Sequence, residues 1–201
     1  MQLPWPAIRR VLIGAVSGLA LLMVAIPNLN GAHPHGRAGA DQNGAMATLR
    51  IIHSAQERFC AQRCVDRDGD GEAEFGSFAM LAGVEPCPRS GQLWDVPGLS
   101  PSFGRLQDDC VTRCNYRFQL LLPRRGGGWV SAASAEVDAK AAAGEYLVMA
   151  WPVAGRGKGA MYLRADGVVH WHANADRRFE APERPLQPSN CSPANGFLPQ
   201  R

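Results

Sequence analysis

The sequence predicts an α+β domain in which one helix lies across an antiparallel sheet of three to four strands. Three observations predict it. Ala45, Leu49, Ile52 and Phe59 recur at three- and four-residue steps, with Gln56 as the polar exception, while Arg50, Glu57 and Arg58 fall elsewhere on the wheel. Tyr116, Phe118, Leu120 and Leu122 alternate with Arg117 and Gln119, the period of a half-buried strand. Further on, "EYLVMAWP" and "GAMYLRADGVVHWHA" supply a strand apolar on both faces and a hairpin around Asp166-Gly167. A helical run followed by a run of strands is the order expected of an α+β domain.

Taken from the N-terminus, Arg9 and Arg10 precede an uncharged apolar run, Val11–Ile26. Its sixteen residues make roughly 24 Å of helix, between a signal-peptide core and a full span. The flanking arginines hold their side in the cytoplasm. Residues 1–29 are therefore expected to be a cytoplasmic stub and membrane anchor helix. Residues 30–44, "NGAHPHGRAGADQNG", are rich in glycine and short polar residues and read as a linker. His33 and His35 read there as solvated side chains. Ala38-Gly39-Ala40 has the small residues of a cleavage site.

The globular head is expected over 45–180. Asn43 is the expected N-cap of its helix, which should end near Cys64. "DRDGDGEAEFGSFAM", Asp66–Met80, turns the chain, and a short helix follows around Ser77–Ala82. Glu85–Gly104 is rich in proline and glycine and reads as ordered loop. Gly126-Gly127-Gly128 reads as a turn, and Pro152 ends the Glu145–Pro152 strand. With a two-residue type I′ turn at Asp166-Gly167, Arg164 faces Val169 and Tyr162 faces Trp171. His170 and His172 then share a strand face opposite Leu163 and Met161 and read as plain strand residues. Residues 181–201 are expected to be a C-terminal tail.

The formal net charge of +3 and the scattered arginines give no support to nucleic-acid binding. Catalytic signatures are missing too. There is no G-x-S-x-G, and "GRGKGA", Gly155–Ala160, lacks the Gly-Lys-Ser/Thr ending of a phosphate loop. The chain reads as non-enzymatic.

Six cysteines agree with export to an oxidising compartment. "CAQRC" and "CVTRC" are spaced i, i+4, which on a helix puts both sulfurs on one face and disfavours a bridge within either pair. Two such faces would form a ladder, Cys60–Cys114 and Cys64–Cys110, with Cys87–Cys191 closing the tail. Six cysteines allow 15 pairings. A four-thiolate zinc site is the rival use of the thiols. Asp66, Asp68 and Asp70 followed by Gly71 match the first half of a calcium loop, but Ser77 stands where an EF-hand requires glutamate. A looser calcium site would use Asp66, Asp68, Asp70 and Glu74; otherwise the stretch is only a corner, and no other cofactor is expected.

An apolar N-terminal helix ending in "AIPNL", then "ATLRIIHSAQERF", "DGDGEAEFGSFAML", "NYRFQLLLP", "EYLVMAWPV" and "GAMYLRADGVVHW" resemble the type IV pilin and type II secretion pseudopilin superfamily. The resemblance covers about residues 11 to 172. It implies a membrane-anchored, non-enzymatic structural or interaction subunit, single-pass in the bacterial inner membrane through Val11–Ile26, with its C-terminal domain periplasmic. Its partners would be other pilin-like subunits or secretion-assembly proteins. The pattern departs from the family at Trp5, where the prepilin peptidase needs glycine, and at Arg10, where most members carry an assembly-guiding glutamate. Two other functions fit the residues: a periplasmic calcium- or zinc-binding module, and a secreted disulfide-rich domain cleaved after Ala40.

Overall fold

A computed structural model describes residues 34–154 and 158–200. Val11–Ile26, the expected anchor, and His33 lie outside the described residues, as do Gly155–Gly157 of the basic loop. No helix among the described residues is long and apolar enough to cross a membrane. Ala38–Arg201 forms one compact unit of α+β architecture.

Helix α1 runs Pro34–Ala61. Its buried positions are Ala45, Thr48, Leu49, Ile52, Ala55, Gln56 and Phe59, a single stripe at three- and four-residue steps. The stripe is the predicted one, with Gln56 inside it. The start is not. The segment read as linker is helical from Pro34 onward, so Asn43 is mid-helix and Ala38–Ala40 lies within α1. Arg63, in a left-handed conformation (φ 51°), ends the helical path by donating its backbone N–H to the Cys60 carbonyl at 2.8 Å.

After the Asp/Gly corner, α2 spans Phe78–Leu81, with Ser77 as N-cap accepting from the Met80 N–H at 3.2 Å. This is the short helix expected around Ser77–Ala82. Seven strands follow: β1 Cys110–Arg113, β2 Tyr116–Pro123, β3 Trp129–Ser131, β4 Leu147–Pro152, β5 Ala160–Arg164, β6 Val169–His172 and β7 Leu198–Gln200. A four-residue helix, α3 (Ala139–Ala142), capped by Asp138, lies between β3 and β4. The sheet is antiparallel throughout, in the order β1-β2-β4-β5-β6-β7, with β3 pairing off β2. It therefore has seven strands where three to four were expected.

The additional strands have identifiable causes. Cys114 and Asn115 both have positive φ (48° and 58°), the two-residue type I′ turn that joins β1 to β2 with Arg113 opposite Tyr116. "CVTRC" is thus strand and turn, not helix. β7 comes from the segment read as a tail. Residues 174–197 instead cross the sheet face remote from α1, burying Phe179, Leu186, Cys191 and Phe197 against Leu147, Met149, Trp151 and Tyr162.

On the near face, Tyr116, Phe118, Leu120, Leu122, Tyr146, Val148, Ala150, Met161 and Leu163 pack with the α1 stripe in one core. Full burial of an aromatic or aliphatic side chain contributes about 1.5–3 kcal/mol, so this layer holds α1 on the sheet. Polar contacts fix its register. His53 Nδ1 and the Tyr146 hydroxyl are 2.6 Å apart, and Asn115 Nδ2 donates to Asp41 Oδ2 at 3.0 Å.

The β5–β6 hairpin departs from its expected register by one residue. Leu163 faces Val169, Tyr162 faces His170, Met161 faces Trp171 and Ala160 faces His172. Gly167 N–H donates to the Arg164 carbonyl at 3.0 Å, and Gly167 has φ 73°. This is a three-residue loop, a type I turn followed by a left-handed glycine, not the two-residue type I′ turn. A one-residue slip reverses every side chain. The observed register sets buried Leu163 against buried Val169 under α1; the expected one would have set Arg164 there.

Candidate functional site

The Asp/Gly corner follows α1 and is closed by one short backbone contact, the Glu74 N–H donating to the Val65 carbonyl at 3.2 Å. Gly69 and Gly71, with φ of 76° and 86°, let the chain reverse within five residues. The reversal brings carboxylate oxygens of Asp66, Asp68 and Glu74 within 4.8 Å of one another. Three of the four predicted calcium ligands are therefore gathered. Asp70 is outside that cluster; its Oδ1 accepts the Glu72 backbone N–H at 2.7 Å, and Asp68 Oδ1 likewise accepts the Asp70 N–H at 3.3 Å, two successive Asx turns that shape the loop.

Glu74 is 2 % exposed, and its charge is balanced from within. Oε1 accepts the Arg67 backbone N–H at 2.5 Å, and Oε2 pairs with the Arg67 guanidinium. A buried carboxylate without such a partner would be costly. Asp66 differs, since its Oδ1 is buried with no hydrogen-bond partner. The corner thus holds a carboxylate oxygen that lacks a donor and, beside it, a guanidinium that already neutralises one member. Hard oxygen donors of this kind suit calcium, but three carboxylates opposed by one arginine bind it more weakly than four unopposed ones. Arg67 is the residue that pattern reading missed. A basic residue between the first two aspartates was its visible signal.

The thiols are arranged quite differently from the ladder. All six are free. A Cβ at Gly44 would sit 2.9 Å from Cys114 Sγ, so Cys114 lies beside the early part of α1. Cys60 is sixteen residues further along that helix, roughly 24 Å away. Cys110 stands opposite Gln119 and belongs to the core layer remote from α1, while Cys64 packs against the near layer. The sheet separates them. It separates Cys87 from Cys191 as well, the first in the near layer and the second in the far one. None of the three expected pairs is adjacent, and among the described residues no four cysteines converge as a zinc site requires. Instead, Cys87 is buried in the near layer, and Cys60 and Cys64 pack against that same layer.

On the far face, Arg117 and Trp151, cross-strand partners in β2 and β4, form the floor of a cleft of about 290 Å³ roofed by Pro182, Pro185 and Gln187. Arg117 Nη2 donates to the Gln107 carbonyl at 2.6 Å, and its Nε has no partner; neither has Trp151 Nε1. The cleft presents donors and Cys110, whose thiol pKa is raised by burial. A raised pKa keeps sulfur protonated and poorly nucleophilic.

His170 stacks on Tyr162 with ring centroids 4.5 Å apart, and His172 Nδ1 accepts from the Asn174 N–H at 2.9 Å. Both act as strand side chains. Compared with protein-family models, with curated proteins and with solved structures, the chain matches none.

Proposed function

We propose that this chain is a pilin- or pseudopilin-like structural subunit. In this reading Val11–Ile26 anchors it in a bacterial inner membrane and the α+β unit stands in the periplasm as a non-enzymatic docking head. The observation that supports this reading is the seating of α1. A 28-residue helix, following the apolar segment in sequence, buries one stripe on an antiparallel sheet and turns at an Asp/Gly corner. Its other face carries Arg50, Ser54, Glu57 and Arg58 around Ile51, which is 53 % exposed. A neighbouring subunit would pack on that face. The test is alkaline extraction of membranes from cells producing the full chain, combined with a photo-crosslinker at position 51. Retention in the membrane pellet and a crosslinked product containing a second pilin-like subunit are expected. A chain released by alkali, with no crosslinked product, would end this reading.

A second reading, calcium binding at the corner, is favoured by the orphaned Asp66 Oδ1 among converging carboxylates. Calorimetric titration with millimolar calcium tests it.

A further inference from the structure

We propose that the far-face cleft over Arg117 and Trp151 binds a carboxylate carried on a small apolar body. Arg117 and Gln119 alternate in β2 with Tyr116, Phe118 and Leu120, so they occupy the sheet face remote from α1. With only α1 on the sheet, that face would meet water. Here residues 174–197 cross it, and the Arg117 side chain is left 14 % exposed. A guanidinium so covered needs acceptors and an opposing charge. The protein supplies them in part. Nη2 donates to the Gln107 carbonyl at 2.6 Å and reaches Asp108 Oδ2 at 3.4 Å, and Asp108, which also lines the cleft, is 79 % exposed. Nε is buried and has no hydrogen-bond partner among the described residues.

Trp151 repeats the deficit. It stands directly opposite Arg117 in the β2–β4 register, on the same face, and is 2 % exposed. Its indole Nε1, a donor only, is buried without a partner among the described residues. Two residues with unpaired donors, cross-strand neighbours, therefore line one cavity of about 290 Å³, and one of them is a cation. An acceptor that is also an anion answers both needs, and a carboxylate has two oxygens to share between them. A water molecule would satisfy the hydrogen bonds but not the charge.

The other walls set the body of the ligand. Pro182, Pro185 and the indole are apolar, and Gln119 and Gln187 add neutral amides. The volume lies near the lower limit of ligand sites, about 300–1,000 Å³, so the space takes roughly one or two amino-acid residues. Asp108 is the one acidic side chain among the lining residues. Its exposure leaves its charge screened by solvent, so it opposes an incoming anion only weakly.

Isotope labelling of the tryptophan indole nitrogens reads the site directly by magnetic resonance. The chain has five tryptophans, and Trp151→Phe identifies the Trp151 indole N–H signal by its loss. The full chain is titrated with N-acetyl-L-alanine and, separately, with N-acetyl-L-alaninamide, which has the same body without the charge. The acid should shift the Trp151 signal saturably, with a dissociation constant of about 10⁻³ M, as expected of so few atoms. The amide should bind at least about tenfold more weakly, and Arg117→Gln should weaken the acid by a similar factor. Asp108→Asn, which removes the opposing charge, should tighten it. Propionate and N-acetyl-dialanine distinguish the source of the carboxylate: equal affinity indicates a free small acid, and preference for the peptide indicates a chain terminus. A Trp151 signal unmoved by the acid at about twenty times the expected dissociation constant, or moved equally by acid and amide, overturns the proposal. Both of these readings come from the wild-type chain, so they hold even where Arg117→Gln fails to fold.

Discussion

Gln56 is a fully buried helix residue that hydrogen-bonds the backbone of Gly76 as a strand would. Its Nε2 donates to the Gly76 carbonyl at 2.9 Å, and its Oε1 accepts the Gly76 N–H at 3.0 Å. The chain after the acidic corner runs past α1 with no strand beside it, and this one amide satisfies both backbone groups. Gly76 also lies under Phe59, where a Cβ would come within 2.6 Å of the ring. The polar exception in the apolar stripe is therefore the joint between helix and corner.

The first prediction concerns that joint. Gln56→Leu keeps the volume and removes both bonds, leaving a buried N–H and C=O without partners. It should cost roughly 2–4 kcal/mol, read as a lower denaturation midpoint with an unchanged m-value. A loss below about 0.5 kcal/mol, within the range of an ordinary surface substitution, would show that water replaces the amide.

Gly167 provides the second. Its φ of 73° disfavours any L side chain, and a Cβ there would lie 2.6 Å from His53 Nε2. Gly167→Ala should therefore disturb the seating of α1 as well as the hairpin, costing about 1–3 kcal/mol. His53→Ala in the same chain should recover part of that loss, because it removes the clash but not the backbone strain. A double-mutant cycle measures the recovery; strict additivity would place the whole cost in the turn.

These two sites show how far the sequence could be read. The α1 stripe was legible because buried positions recur with the helical period, and β2 and β4 were legible because their faces differ or are both apolar. The start of α1 was not: Pro34, Gly36, Gly39 and Gly44 dilute the pattern in a stretch that is nonetheless helical. Asp166-Gly167 marks a hairpin without marking its loop length, since the same pair serves a two-residue turn or the end of a three-residue one. Only burial of Val169 opposite Leu163 decides between them. Cys114-Asn115 gave no turn signal because cysteine is rarely chosen for positive φ. For the cysteines, i, i+4 spacing means one face only on a helix, and Cys110–Cys114 is not helical. Residues 174–197 form a layer through irregular turns and short 3₁₀ segments, which carry no period to detect. At the corner the ligand types were legible, but Asp70's place outside the cluster and Arg67's pairing with Glu74 depend on the path of the loop.

The third prediction is a loss of stability at high pH. Burial raises the phenol pKa values of Tyr116 and Tyr146 above the ordinary 10.0, and it raises the Cys191 thiol from 9.0 to about 12. In each case the folded chain retains a proton that the unfolded chain releases. Their contribution is fully present below the unfolded pKa and declines as pH rises from about 9 for the thiol and 10 for the phenols. Each group should steepen the decline by up to about 1.4 kcal/mol per pH unit. Denaturation midpoints measured from pH 8 to 12 should fall, with the phenolate absorbance appearing only as the protein unfolds. Tyr146→Phe should flatten the curve above pH 10. Phenolate absorbance from all three tyrosines in the folded state near pH 10 would contradict it.

The acidic corner yields the last prediction, and its four side chains should respond unequally. Asp66 brings an oxygen without a donor, Asp68 adds a second carboxylate within the cluster, Glu74 is shared with Arg67, and Asp70 lies outside the cluster. With few ligands and one opposing cation, calcium affinity should fall in the weak range of extracellular sites, about 10⁻⁴ to 10⁻³ M. Asp66→Asn and Asp68→Asn should each abolish the calcium-dependent rise in melting temperature, while Asp70→Asn should preserve it. Arg67→Gln removes the competing guanidinium and frees Glu74, so it should lower the apparent stability without calcium and tighten binding at least tenfold. That opposite movement distinguishes a cation site from a corner held together by its own ion pair, in which loss of Arg67 only destabilises. Calorimetry on wild type and Arg67→Gln, both silent at 5–10 times the weakest expected dissociation constant of about 10⁻³ M, would leave the corner a purely structural turn.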